Sequence, residues 1–315
     1  LVSHARVTLI DVSLRDGIQS ERALVPLGTK LRIIEALVEA GVRSLQVASF
    51  VNPKRVPQMA DVEALLARLP HSRDVDFSGL VLNERGLERL CATGLRHVDL
   101  SLSVSDTHGR RNTGMGLAEA TGQALAMLRA AKASGLHVRV GLQCVFGCAY
   151  EGEIPRPRVL ELSRELAAEG CDALSLADST GHATPRDIKE TVEALRAIVD
   201  CPLVLHLHDT RGLGIANLIA GYEAGVRAFD AALGGVGGCP FIPGASGNVA
   251  LEDAVYLFDR MQVATGIALP KLFAATELLE CALDHSLPGK LYQLAKRSSA
   301  EPSHPLANSE ASAWG

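Results

Sequence analysis

Short apolar runs rich in Val, Ile and Leu alternate along this chain with longer segments in which apolar positions recur every three to four residues. The short runs cover 7–11, 44–48, 75–81, 97–102, 137–143, 172–177, 203–207 and 227–232, and their length and composition predict strands. The segments between them, 29–40, 59–68, 84–93, 117–134, 157–169, 185–199, 214–224 and 248–265, carry the helical period. Several stop at a glycine, as at Ala40-Gly41, Ser134-Gly135, Glu169-Gly170 and Ala224-Gly225, where a left-handed residue closes a helix. Eight strand–helix units of roughly 30 residues each predict an α/β fold, a (β/α)8 TIM barrel, with a doubly wound open sheet as the rival. The unit count favours the barrel, and so does the position of the polar candidates at strand C-terminal ends. Two further helical patterns, 271–283 and 290–297, add a C-terminal extension, so 1–297 reads as one domain. The Ser-, Ala- and Pro-containing stretch 298–315 lacks a period and reads as a mobile tail.

Composition narrows the function class. With 31 Lys+Arg against 36 Asp+Glu the chain is mildly acidic, which argues against a nucleic-acid partner. Only 12 residues (7 Phe, 4 Tyr, 1 Trp) are aromatic, too few to suggest a base-stacking platform. The longest uncharged run, 231–251, has the length of a membrane span but holds six Gly and two Pro, so it reads as a loop and no membrane partner is expected. Leu1–Val12, with His4, Arg6 and Asp11, lacks the apolar core of a signal peptide. Seven dispersed Cys without a CxxC pair read as reduced thiols in a cytoplasmic protein.

The sharpest chemical signal is Leu205-His206-Leu207-His208-Asp209. In a strand, residues two apart face the same side, so both imidazoles point together at the barrel mouth as candidate metal ligands. On the first unit, Ser13-Leu14-Arg15-Asp16-Gly17 puts a carboxylate where strand one meets its loop; read blandly, it is a polar turn closed by glycine. Strand one neighbours strand eight in a closed barrel, so Asp16 can complete a site with the two His. Such a ligand set suits Mg²⁺, Mn²⁺ or Co²⁺ and also non-haem Fe(II). The Gly-rich run that follows strand eight lacks phosphate-loop and dinucleotide spacings. It reads instead as a mobile lid carrying one thiol, Cys239, able to act as an acid or base. Asp178, ending strand six, is a candidate to orient a ligating imidazole or simply to cap its loop. Gln46, read as ending strand two, offers a neutral amide to a substrate. Gln19 and Glu252, beside the two motifs, are further candidates for positioning or substrate contact.

Taken together, Arg15-Asp16-Gly17, His206-Leu207-His208 and the lid Gly237-Gly238-Cys239-Pro240 with Gly244-Ala245-Ser246-Gly247-Asn248 resemble the 3-hydroxy-3-methylglutaryl-CoA (HMG-CoA) lyase family. That family lies within the superfamily of metal-dependent lyases, aldolases and Claisen-condensing barrels. The stretches 49–61 and 147–152 are similar to it as well, and the resemblance runs from about residue 7 to 297. It implies that Asp16, His206, His208 and Asn248 bind a divalent metal, Mg²⁺ or Mn²⁺, that Arg15 stabilises a thioester enolate, and that Cys239 handles proton transfer. It also implies an acyl-CoA substrate cleaved to acetyl-CoA and acetoacetate, a homodimer, and a place in leucine degradation. CoA contacts have no motif; Lys54, Arg55 and Asn112 are the candidates. Two departures bear on the substrate. Gln46 stands where the lyases have a glutamate, and Leu14 stands where they usually have proline, as in the condensing enzymes and aldolases. The expectation is therefore an HMG-CoA lyase. The alternatives are a lyase for a malyl- or citramalyl-type thioester, or a condensing acyltransferase.

Overall fold

The structure, a computed structural model, describes residues 5–70, 72–238 and 247–300. Among them, parallel strands β1 (Thr8–Asp11), β2 (Ser44–Ser49), β3 (Asp76–Val81), β4 (His97–Ser103), β5 (His137–Gln143), β6 (Ala173–Asp178), β7 (Leu203–Leu207) and β8 (Ala228–Ala231) pair in sequence order. β8 pairs back onto β1, with Thr8 opposite Ala228 and Asp11 opposite Ala231, so the sheet closes into the expected (β/α)8 barrel. Parallel neighbours require a crossover between every pair of strands, and the intervening helices supply it. These are α1 (Leu27–Ala40), α2 (Val62–Leu66), α3 (Glu84–Cys91), α4 (Asp106–Asn112), α5 (Leu117–Ala133), α6 (Arg156–Ala168), α7 (Pro185–Arg196) and α8 (Gly214–Glu223). After β8 come α9 (Leu251–Arg260), α10 (Leu269–Leu283) and α11 (Lys290–Ala300), with α10 packed on α1. No helix among the described residues is long and apolar enough to cross a membrane.

Helix faces explain the packing. α1 buries Ile33, Ile34, Leu37 and Ala40, spaced at three to four residues, and stops at Gly41 with φ 104°. α7 starts with a reciprocal cap in which Thr184 accepts from the Asp187 N–H and Asp187 accepts from the Thr184 N–H. Truncating a core residue such as Ile33 to alanine should cost about 2–5 kcal/mol.

Several boundaries differ from the sequence expectation, each for a local reason. The segment 59–68 is not one helix: a short 3-10 turn at Pro57–Met59 precedes α2 at Val62–Leu66. α4, unforeseen, is polar throughout and has no apolar period; Ser105 caps it by accepting from the His108 N–H. α9 begins at Leu251, because Asn248 and Ala250 are held in bridges to His208 and Ala232. α11 runs on to Ala300, so 298–300 is helix and not tail; 301–315 lies outside the described residues.

Candidate functional site: a divalent-cation cluster at the barrel mouth

β1 ends at Asp11, and the chain then takes a wide helical turn, Ser13–Gly17, in which the Gly17 and Ile18 N–H groups bond five residues back. This turn buries Leu14 and turns Arg15 and Asp16 toward the mouth. Its back is fastened to the end of β8, where the Leu233 N–H donates to Ser13 Oγ (2.7 Å). Gly17 is needed for close approach: a Cβ there would lie 2.5 Å from Val236 Cγ1. Across the mouth β7 delivers His206, and His208 follows it, paired in a bridge with Asn248.

Three of the four predicted ligands converge. The donor atoms of Asp16, His206 and His208 lie within 4.8 Å of one another, the metal-capable cluster found among the described residues. The two imidazole Nε2 atoms are 3.2 Å apart, and Asp16 Oδ2 is 3.7 and 3.8 Å from them. Asn248 Nδ2 donates to Asp16 Oδ2 and to the Val236 carbonyl, both at 3.0 Å. His206 Nδ1 faces Asp230 Oδ2 at 3.0 Å, which places the proton on Nδ1 and aims the Nε2 lone pair at the cluster.

The donor set fits a divalent cation. Asn248 Oδ1 is buried without a hydrogen-bond partner among the described residues, an acceptor left over on the residue whose Nδ2 bonds Asp16. Two His, one carboxylate and an amide oxygen form a mixed N/O set with room for substrate oxygens.

Charged groups tie this cluster into the barrel interior. Arg15 Nη1 lies 2.5 Å from Asp16 Oδ1, and Arg15 Nε donates to Gln46 Oε1. Gln46 Nε2 donates to Asp99 Oδ2, which also accepts from Ser78 Oγ (2.6 Å). Arg139 donates to Asp99 Oδ1 at 2.5 Å and to Asp230 Oδ1 at 2.7 Å. A continuous hydrogen-bonded chain thus runs from Arg15 through Gln46, Asp99, Arg139 and Asp230 to His206. Burial opposes ionisation of Asp16, but Arg15 and the His208 ring outweigh it and hold the carboxyl well below the usual range. Burial likewise opposes the charge of Asp230, and Arg139 and His206 keep its carboxyl low. Burial works against the Arg139 cation too, yet its two carboxylate partners raise its pKa.

The cluster borders a cavity of about 640 Å³, lined by Arg15, Asp16, Gln19, Gln46, His206 and His208 among others. Arg55 and Asn112 also line it, whereas Lys54 does not. Gln46 lies inside β2 instead of at its end, next to a bulge in the pairing with β3 between Gln46 and Ala48. Asp178 takes the capping role: it accepts from the His182 and Ala183 N–H groups at 2.9 and 3.1 Å, and burial raises its pKa. Glu252 lies off the cavity wall, accepting from the Gly234 N–H and Thr276 Oγ1, and so braces the turn after β8. Cys239 falls outside the described residues.

Asp99, Arg139 and Asp230 escaped the sequence reading because each sits inside an apolar run. The signal was present: a charged residue in the middle of a buried strand needs a partner, and here two acids flank one arginine.

The chain is similar to known proteins over most of its length. A family described as HMGL-like matches residues 6–279. An (R)-citramalyl-CoA lyase of Chloroflexus aurantiacus is 40% identical over 294 residues, 90% of this chain and 92% of that protein. The hydroxymethylglutaryl-CoA lyase YngG of Bacillus subtilis is 35% identical over 298 residues, 93% of this chain and 98% of that protein. A solved HMG-CoA lyase structure from Bacillus subtilis superposes with a TM-score of 0.90 at 34% identity, covering 92% of this chain and 98% of that one. Another, from Acinetobacter baumannii in complex with coenzyme A and 3-methylmalate, gives 0.87 at 34% identity, covering 91% and 94%. With its barrel closed, its mouth carrying the Asp16–His206–His208 cluster, and its whole length but the two ends matched, the chain belongs to the HMGL-like family of carbon–carbon lyases.

Proposed function

We propose that this protein breaks the C2–C3 bond of a 3-hydroxy-acyl-CoA with the aid of Mg²⁺ or Mn²⁺ held by Asp16, His206, His208 and Asn248. The observation that carries this reading is the convergence of three metal-capable side chains beside Arg15 on one wall of a cavity of about 640 Å³. A bound cation supplies Lewis acidity and a template for two substrate oxygens. Arg15, a lasting cation at the cavity wall, stabilises the negative charge that develops on the thioester oxygen. As the bond breaks, its electron pair passes to C2 as the thioester enolate. C3 becomes a carbonyl, and the hydroxyl proton leaves to a base. A proton delivered to C2 completes acetyl-CoA, and Cys239 is the group proposed to deliver it. Its position in a Gly-rich run after β8 suits a lid that shields the enolate from stray protons.

Gln46 favours an acid half of citramalyl type. In that thioester the carboxylate is attached directly to the hydroxylated carbon, whereas in the methylglutaryl thioester a methylene separates the two. A neutral amide at position 46 adds no like charge against it, and Gln46 lines the cavity next to Arg15. The 40% identity to a citramalyl-CoA lyase points the same way. HMG-CoA is the second reading, supported by hydroxymethylglutaryl-CoA lyases at 35% identity and by the motifs at 49–61 and 237–248. The keto acid released discriminates. Citramalyl-CoA should give acetyl-CoA and pyruvate in equal amounts, with the rate abolished by EDTA. Turnover of HMG-CoA to acetoacetate with none of citramalyl-CoA would overturn the preferred substrate, and turnover of neither would overturn the lyase reading.

A further inference from the structure

The amide of Gln46 is polarised between two charged partners. Its oxygen accepts from Arg15 Nε and its nitrogen donates to Asp99 Oδ2. Asp99, on β4, is 5% exposed, and its other contacts are with Ser78 Oγ and Arg139. The orientation of the amide is therefore not free: with Asp99 on one side, only a donor can face it, and the oxygen is left for Arg15. Arg139 continues the chain to Asp230, and Asp230 holds the His206 ring. A carboxylate at 46 would satisfy Arg15 but would set an acceptor against an acceptor at Asp99, two like charges in a buried site.

We propose that Asp99 is a specificity-determining positioning residue: by accepting from Gln46 it fixes which way the position-46 amide faces, so the 46/99 pair together, and not residue 46 alone, sets which acid half the cavity takes. The proposal rests on the citramalyl-type reading for its direction. Gln46→Glu alone leaves the new carboxylate facing Asp99. Gln46→Glu combined with Asp99→Asn restores donor to acceptor across the pair, now with the donor on β4, and moves one negative charge along the cavity lining from residue 99 to residue 46, beside Arg15.

The test is a cycle of four proteins: wild type, Gln46→Glu, Asp99→Asn and the double variant. Thermal unfolding of each is followed at pH 8 without metal. Steady-state kcat and KM are measured on the Mn²⁺-loaded enzymes with citramalyl-CoA and HMG-CoA. Gln46→Glu should lower Tm by about 2–5 °C, and the added Asp99→Asn change should return at least half of that loss. The double variant should shift the kcat/KM ratio toward HMG-CoA by about tenfold or more, and Gln46→Glu alone should not. Additive Tm changes, or an equal shift in Gln46→Glu alone, would overturn the proposal. A wild type that turns over neither thioester overturns the substrate reading and the specificity claim with it. The metal-free Tm cycle separates that failure from a failure of the 46/99 coupling.

Discussion

Replacing Asp230 by asparagine removes one negative charge without changing shape, at a residue 3% exposed in the lining of the cavity. Its Oδ2 lies 3.0 Å from His206 Nδ1 and its Oδ1 2.7 Å from Arg139 Nη1. Both partners are donors. The carboxylate accepts from both; an amide accepts from one and turns its own NH₂ toward the other. If the amide oxygen stays with Arg139, His206 loses the partner that fixes its proton on Nδ1, and its Nε2 is less basic toward a cation. Loss of such an outer partner lowers metal affinity about 10- to 100-fold, or about 1.4–2.8 kcal/mol. The fold itself should lose about 1.5–3 kcal/mol, the worth of one hydrogen bond to a charged group, since Arg139 keeps Asp99. Calorimetric titration with Mn²⁺, after circular dichroism has verified the fold, reads the affinity directly. A folded Asp230→Asn protein that binds Mn²⁺ within twofold of wild type would refute the claim that Asp230 aims the ligand.

Other outcomes follow from the same structure. Burial raises the Glu252 pKa from 4.5 to about 7, so its ionisation opposes folding: its contribution is fully present below its unfolded pKa and is lost as pH rises toward about 7. Glu252→Gln should therefore flatten the decline in Tm between pH 5 and 8, by on the order of 3 kcal/mol in stability; unfolding curves across that range check it. Gly237 has φ +119°, and a Cβ there would lie 2.7 Å from Asn248 Nδ2, so Gly237→Ala should displace Asn248 and weaken Mn²⁺ binding while far-ultraviolet dichroism stays unchanged. Mn²⁺ at one hundred times its Kd should stabilise the wild type by about 2.7 kcal/mol, a shift that Asp16→Ala should erase in a thermal assay.

The barrel was legible because its grammar is local. Each strand run is short and apolar, each helix carries its own period, and glycines such as Gly41 and Gly225 mark the stops. The ligands were legible because His206 and His208 sit two apart at the end of β7, and the closure of β1 onto β8 brings Asp16 across to them. What stayed hidden is what only closure creates. Arg139 reaches from β5 to Asp230 on β8, ninety-one residues away, and no pattern along the chain announces that pairing. The position of Asp178 at the end of β6 allowed either an imidazole-orienting role or a loop cap, and the His182 and Ala183 N–H groups, one on each oxygen, match the cap. A polar helix such as α4, defined by a serine cap and its tertiary setting, has no apolar stripe to read.

The central claim, a cation-dependent cleavage at the Asp16–His206–His208 mouth, is tested most directly by product stoichiometry. Purified protein is stripped with EDTA, reloaded with Mn²⁺, and incubated with citramalyl-CoA, with wild type and His208→Ala compared side by side. The account expects one acetyl-CoA and one pyruvate per thioester consumed by the reloaded wild type, and neither product from the stripped protein or from His208→Ala. Equal rates with and without the cation, or cleavage undiminished in His208→Ala, would contradict it.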